Sequence, residues 1–183
     1  MKTLKHYSFM LLALCFLLIT GMKCKKDNQN PNKEQLPAAT QTGANTFGFL
    51  LNGEVWLPKG GLLDQKLDLS YDPNHKGGTL NIVAKRYLSS DTEYESIAFG
   101  SYNVNSLGNY PTNKDNVIVL FRKTTDCRYN GYEIDNNKQT GTLVVTKLDL
   151  ANKIISGTFE FKLEKNGCPT INATQGRFDL KIE

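Results

Sequence analysis

From Thr46 onward the chain alternates short runs rich in Val, Ile, Phe, Tyr and Thr with clusters of Asn, Gly, Asp and Pro, and no segment sustains a helical period. Side chains that alternate between two faces mark half-buried strands, so the predicted class is all-β. The first unit is TFGFLLNGEVWLP, where Asn52-Gly53 between two apolar runs supplies the positive φ angles of a tight hairpin turn. In TLNIVAKR, Leu80, Ile82 and Ala84 share one face while Asn81, Val83 and Lys85 share the other, as in a sheet covered on one side. Further strands are expected over 67–71, 95–104, 117–123 and 128–134, with SLGNYPTNKDN and KTTDC read as loops.

The clearest pair is TGTLVVTKLDLANKIISGTFEFKLE, two long strands joined around Asp149–Lys153, with Ile155, Phe159, Phe161 and Leu163 on one face. The last strand, GRFDLKIE, points Phe178, Leu180 and Ile182 inward and Arg177, Asp179 and Lys181 outward. Roughly eight to ten short strands in hairpin order predict an antiparallel β-sandwich or an up-and-down, lipocalin-like barrel.

Upstream the pattern changes. Residues 9–22 are an uncharged, mostly apolar run preceded by Lys2, Lys5 and His6. Crossing a bilayer takes ~20 apolar residues, so this run reads as a signal-peptide core over residues 1–23. Cys24 follows at once, then a polar Asn- and Gln-rich stretch with Pro31 and Pro37, read as a flexible tether over 24–45 ahead of a single β-domain at 46–183. A thiol between an apolar leader and a tether is the position at which a bacterial lipoprotein is acylated, which makes Cys24 the candidate lipidation site. The residue before it is Lys23, where the lipoprotein motif has a small side chain.

The 183-residue chain has a formal net charge of +4, and Lys2, Lys5 and Lys23 account for three of those charges, so without residues 1–23 the charge is +1. With no cluster of Lys and Arg in the folded part, nucleic acid is not an expected partner. With Cys15 in the leader and Cys24 acylated, Cys127 and Cys168 remain, and a pair of thiols in an oxidising compartment favours a disulfide. A closed metal site lacks ligands, since His75 is the single histidine beyond the leader and there is no CxxC spacing, and no cofactor motif is present.

His75 lies in DPNHKGG, whose composition marks a turn, so an exposed loop histidine is favoured over a catalytic base. Glu93 with Glu95, or Asp149 with Glu160, are the carboxylate pairs that a glycoside hydrolase reading would need, and sequence does not place either across a cleft. Aromatics are the remaining candidates for ligand contact. Trp56, the sole Trp, and Tyr110 are the named candidates, with core packing the favoured reading for Trp56; Tyr87, Tyr94, Tyr102, Tyr129 and Tyr132 fall near strand ends and loops.

The segments FGFLLNGEVWLP, ISGTFEF and TQGRFDLKI, in that order, resemble a family of small Bacteroidota lipoproteins of unknown function, over most of residues 46–183. The resemblance implies a lipid-anchored β-domain and carries no activity or ligand to particular residues. The expected function is that of a non-enzymatic binding or structural module of the cell envelope, held at the outer membrane by its N-terminal lipid. Carbohydrate, a small ligand or another envelope protein are its candidate partners. The alternatives are a lipocalin-like barrel holding a small apolar ligand and an envelope hydrolase.

Overall fold

The computed structural model describes residues 34–60, 65–88, 93–123, 127–131 and 137–182. Among these residues eleven strands run β1 (Thr46–Leu51), β2 (Glu54–Trp56), β3 (Leu67–Asp72), β4 (Thr79–Tyr87), β5 (Tyr94–Ser101), β6 (Gly108–Pro111), β7 (Val117–Lys123), β8 (Arg128–Asn130), β9 (Asn137–Asp149), β10 (Ile154–Lys165) and β11 (Ile171–Lys181). They form two antiparallel sheets, a six-stranded one in the order β2-β1-β11-β10-β9-β6 and a five-stranded one in the order β3-β4-β5-β7-β8. The sheets pack as a sandwich and not as a closed barrel.

The alternation read from sequence becomes the core. Leu80, Ile82 and Ala84 of β4 are fully buried, as are Ile97, Val117 and Val119 of the neighbouring strands. Across from them the six-stranded sheet contributes Phe47, Phe49, Phe159, Phe161, Phe178 and Leu180. Phe47, Phe49, Trp56, Phe99, Phe159 and Phe161 form one aromatic cluster, with ring centroids between 4.8 Å (Phe99 to Phe159) and 6.4 Å (Phe47 to Phe99). Each such ring contributes ~1.5–3 kcal/mol by leaving water. A barrel interior that could hold an apolar ligand is replaced by this packed aromatic centre, which corrects the lipocalin-like alternative.

Local chemistry fixes the register. Asn52 (φ 50°) and Gly53 (φ 90°) form the predicted two-residue hairpin turn, a shape that favours Asn-Gly because both residues need positive φ. A bulge at Gln175 (φ 52°) reverses the alternation of β11, so that Ile171 and Ala173 face the core before it and Phe178 and Leu180 face the core after it. Beside the bulge, a Cβ on Gly176 would lie 2.4 Å from the Phe159 ring, and the glycine lets the two strands close over that ring.

Two expectations are corrected. SLGNYPTNKDN, read as loop, contains β6, a short edge strand whose Pro111 has no N–H to donate to a ladder. The folded unit also begins before Thr46: residues 34–44 lie as a strap across the outer face of the six-stranded sheet. Pro37 sits over Gly48 of β1, Arg177 of β11 donates to the Pro37 carbonyl, and Lys147 of β9 donates to that of Gln41. The tether expected over 24–45 therefore gives up residues 34–44 to the domain, and its remainder, with Cys24, lies outside the described residues.

Asp179 is what holds the strap down. One carboxylate oxygen accepts from the Thr40 hydroxyl (2.6 Å) and the Thr42 backbone N–H (2.9 Å), the other from the Gly43 N–H (2.8 Å) and the Ser156 hydroxyl (2.7 Å). Burial opposes its charge, but the hydrogen bonds from Thr40, Ser156, Thr42 and Gly43 outweigh that cost and hold its pKa well below the ordinary carboxylate range.

The sheets are joined at two corners and by one covalent link. Lys59, just past β2, bridges to Arg86 of β4, and Thr112, just past β6, bridges to Val117 of β7. The Gln139 side chain of β9 accepts from the Val119 N–H and donates to the Val117 carbonyl, completing backbone bonds where β8 does not reach. Cys127, ahead of β8, and Cys168, in the β10–β11 connection, form the expected disulfide, with Cα atoms 5.9 Å apart. Beside it, the Tyr129 hydroxyl donates to the Pro169 carbonyl and Lys165 to that of Arg128.

Candidate functional site

The outer face of the five-stranded sheet is not covered by the strap. Pairing sets Ser70 of β3, Asn81 of β4, Gly100 of β5 and Ile118 of β7 in one row across it. Because Gly100 has no side chain, the row dips in the middle. The β3–β4 turn and the loops beyond β5 and β6 raise walls around the dip, bringing Asp72, His75, Thr79, Tyr102, Lys114 and Asn116 to its edges. The result is a groove of about 370 Å³, at the small end of the ~300–1,000 Å³ typical of ligand sites.

The polar groups of this groove divide into those that build it and those that remain open. Asp72 accepts the Asn74 N–H (2.9 Å), which shapes the turn, and His75 Nδ1 meets the Thr79 hydroxyl at 2.8 Å. Asn113 accepts from the backbone and side chain of Asn116 and orders the opposite wall. Ser70, Asn81 and Lys114 make no side-chain hydrogen bond or ion pair to another described residue, so their donors and acceptors are available to a ligand. Tyr102 is 38% exposed, with Lys76 Nζ 4.2 Å from its ring centre and the His75 ring edge-on to it at 6.3 Å. Lys76 and His75 thus hold the ring in place, with the Lys76 ammonium over one of its faces.

A larger cleft of about 690 Å³ opens at one end of the sandwich beside Leu67, Leu69, Leu180 and Ile182. It is bounded in part by Gly60 and Gln65, on either side of residues 61–64, which lie outside the described residues.

The residues singled out in the sequence are placed elsewhere, His75 and Tyr102 excepted. Trp56 is fully buried and its indole N–H donates to Glu95 Oε2 (2.9 Å), so it belongs to the core, the reading favoured from sequence, and not to a ligand-contacting surface. Glu95 also lies 3.7 Å from Lys123, an internal arrangement rather than a facing pair with Glu93. Tyr110 lies on β6 of the other sheet, half-buried, with its hydroxyl donating to the Ser106 carbonyl (2.8 Å). Its neighbour Tyr71 donates to the Val104 carbonyl, and burial first, then Tyr110 and Asp72, raises the Tyr71 pKa. Asp149 caps the β9–β10 turn through Asn152 while Glu160 sits mid-strand on the outer face, so the hairpin separates this pair. Tyr132 lies outside the described residues, and among those residues no group of three potential ligands could hold a metal ion.

Sequence reading did not single out Asn81, Gly100, Lys114 and Asn116 as site residues. Asn81 was legible as outward-facing, but its alignment with Gly100 and Ile118 depends on strand register.

No protein-family model, curated protein or solved structure matches the chain.

Proposed function

We propose that this chain is a lipid-anchored, non-enzymatic binding module of the cell envelope, one of the small Bacteroidota lipoproteins it resembles, and that its ligand site is the groove on the five-stranded sheet. The observation that carries this reading is the groove itself: strand register sets Ser70, Asn81, Gly100 and Ile118 in one row across the outer face of the five-stranded sheet, and Ser70, Asn81 and Lys114 bring to it polar side chains with no hydrogen bond to another described residue.

Two measurements test the reading. Cys24→Ser is expected to move the protein from the membrane fraction to the soluble fraction; retention in the membrane overturns the lipid anchor. For the groove, a thermal-shift screen of saccharides, short peptides and phosphorylated metabolites should find at least one compound that raises the melting temperature of the native protein and not that of Gly100→Val. Gly100 has no positive φ and lies within a strand, so valine suits the backbone while filling the dip. Equal shifts in both proteins would place binding outside the groove, and no shift in any class would overturn the module reading.

A further inference from the structure

We propose that the ligand of this groove is a saccharide, bound through hydroxyl groups by Ser70, Asp72, Asn81 and Lys114 with Tyr102 at the rim. The inference rests on the groove being the binding site and adds the chemistry of what fills it.

Charge comes first. Asp72 and Lys114 bring opposite signs to the same small groove. A phosphorylated ligand shares the groove with the Asp72 carboxylate, and a cationic one shares it with the Lys114 ammonium and with Lys76 over the Tyr102 ring, so neither charge alone is matched throughout. A neutral ligand carrying many groups that both donate and accept meets no such conflict. Hydroxyls arrayed around a sugar ring have that property: Asp72 accepts from them, Lys114 donates to them, and the Asn81 amide and Ser70 hydroxyl do both.

Saturation of the polar groups comes next. Asp72 spends one oxygen on the Asn74 N–H, leaving the other oxygen to accept from a ligand. Asn81 is held at the centre of the sheet by pairing on both sides, with Ser70 on β3 and Gly100 on β5. A side-chain amide on a rigid strand loses little entropy when it binds, which favours a weakly hydrophobic ligand that depends on hydrogen bonds. The floor, meanwhile, is Gly100 and Ile118, too little apolar surface to extract a lipid chain from water. Tyr102 completes the fit through the ring face opposite Lys76, since the C–H face of a pyranose packs on an aromatic ring.

The test is a glycan array spanning plant, host and bacterial saccharides, probed with the native full chain and with Asn81→Ala, Gly100→Val and Glu160→Ala, followed by titration calorimetry with the best-bound glycan. Glu160 lies on the outer face of the opposite sheet and serves as the control. Saccharide signals are expected for the native protein and Glu160→Ala, an affinity about tenfold weaker for Asn81→Ala, and none for Gly100→Val. Circular dichroism melts establish that each variant is folded. Absence of any groove-dependent saccharide signal overturns the proposal. If a dipeptide or inorganic phosphate then shows binding that Gly100→Val abolishes, the groove stands as a site and only its ligand class is wrong; if neither does, both readings fall together.

Discussion

At Asp179 an outward position on the last strand becomes one of the most enclosed charges in the protein, 1% exposed, because the strap closes over it. Replacing it with alanine would leave the Thr42, Gly43 and Ala44 N–H groups and the hydroxyls of Thr40, Thr42 and Ser156 without this acceptor. Asp179→Ala is therefore expected to cost about 2–4 kcal/mol in urea-unfolding stability. The same carboxylate sets an acid limit. Its pKa is depressed in the folded state, so the unfolded chain takes up the proton first, and the stabilisation is complete above the ordinary carboxylate value of ~3.9 and lost as pH falls below it. Stability measured from pH 6 down to pH 2 should fall more steeply for the native protein than for Asp179→Asn, whose curve lacks this contribution; parallel curves would show that Asp179 does not carry the effect. Sequence alternation identified Asp179 as facing away from the core, which is correct, and gave no sign of what covers it.

The strap and the strands differ in how they can be read. β1, β4, β10 and β11 carry their apolar residues at a spacing of two, and that spacing survives into the core because each buries one face. Residues 34–44 have no such period, since they are held largely by hydrogen bonds to the Asp179, Arg177 and Lys147 side chains, and a polar stretch of this kind reads as unstructured. β6 was hidden for a related reason: Gly108, Asn109 and Pro111 are turn formers, and only pairing with Val145 to Thr142 of β9 makes the segment a strand. Most of the fold was thus legible, whereas the groove was not, because Ser70, Asn81 and Gly100 meet only through register. The strap is open to direct measurement. Amide hydrogen exchange should show Thr42 and Gly43 protected to a degree comparable with the strands, and Asp179→Ala should bring both to the rate of an exposed loop while leaving Ile82 and Phe99 protected. Rapid exchange of Thr42 and Gly43 in the native protein would show that the strap is not docked in solution.

At the scale of the whole molecule, the disulfide ties the two sheets together covalently, beside the hydrogen bonds from Tyr129 to Pro169 and from Lys165 to Arg128. It holds the start of three-residue β8 against the β10–β11 connection, closing a loop with a sequence separation of 41. Constraining the unfolded chain over that length contributes roughly 4 kcal/mol in the chain-entropy model. Reduction, or the Cys127→Ser/Cys168→Ser pair, should lower the melting temperature without removing the all-β circular dichroism signal. Unchanged melting on complete reduction would show that the corner bridges and Gln139 hold this end without it.

The strand order also determines how the molecule behaves in a crowd of its own copies. Among the described residues, β3 closes one side of the five-stranded sheet and presents six residues of backbone, Leu67 to Asp72, with no further strand beside them. Such an edge is a template on which a second chain can extend the sheet and begin an aggregate. Self-association of two β3 edges, antiparallel and centred on Ser70, would set Asp68 of each copy opposite Asp72 of the other, on the same face and with the same charge. Two repulsive pairs per encounter make the most symmetric route to sheet extension unfavourable, so the acidic residues on β3 also keep neighbouring copies apart.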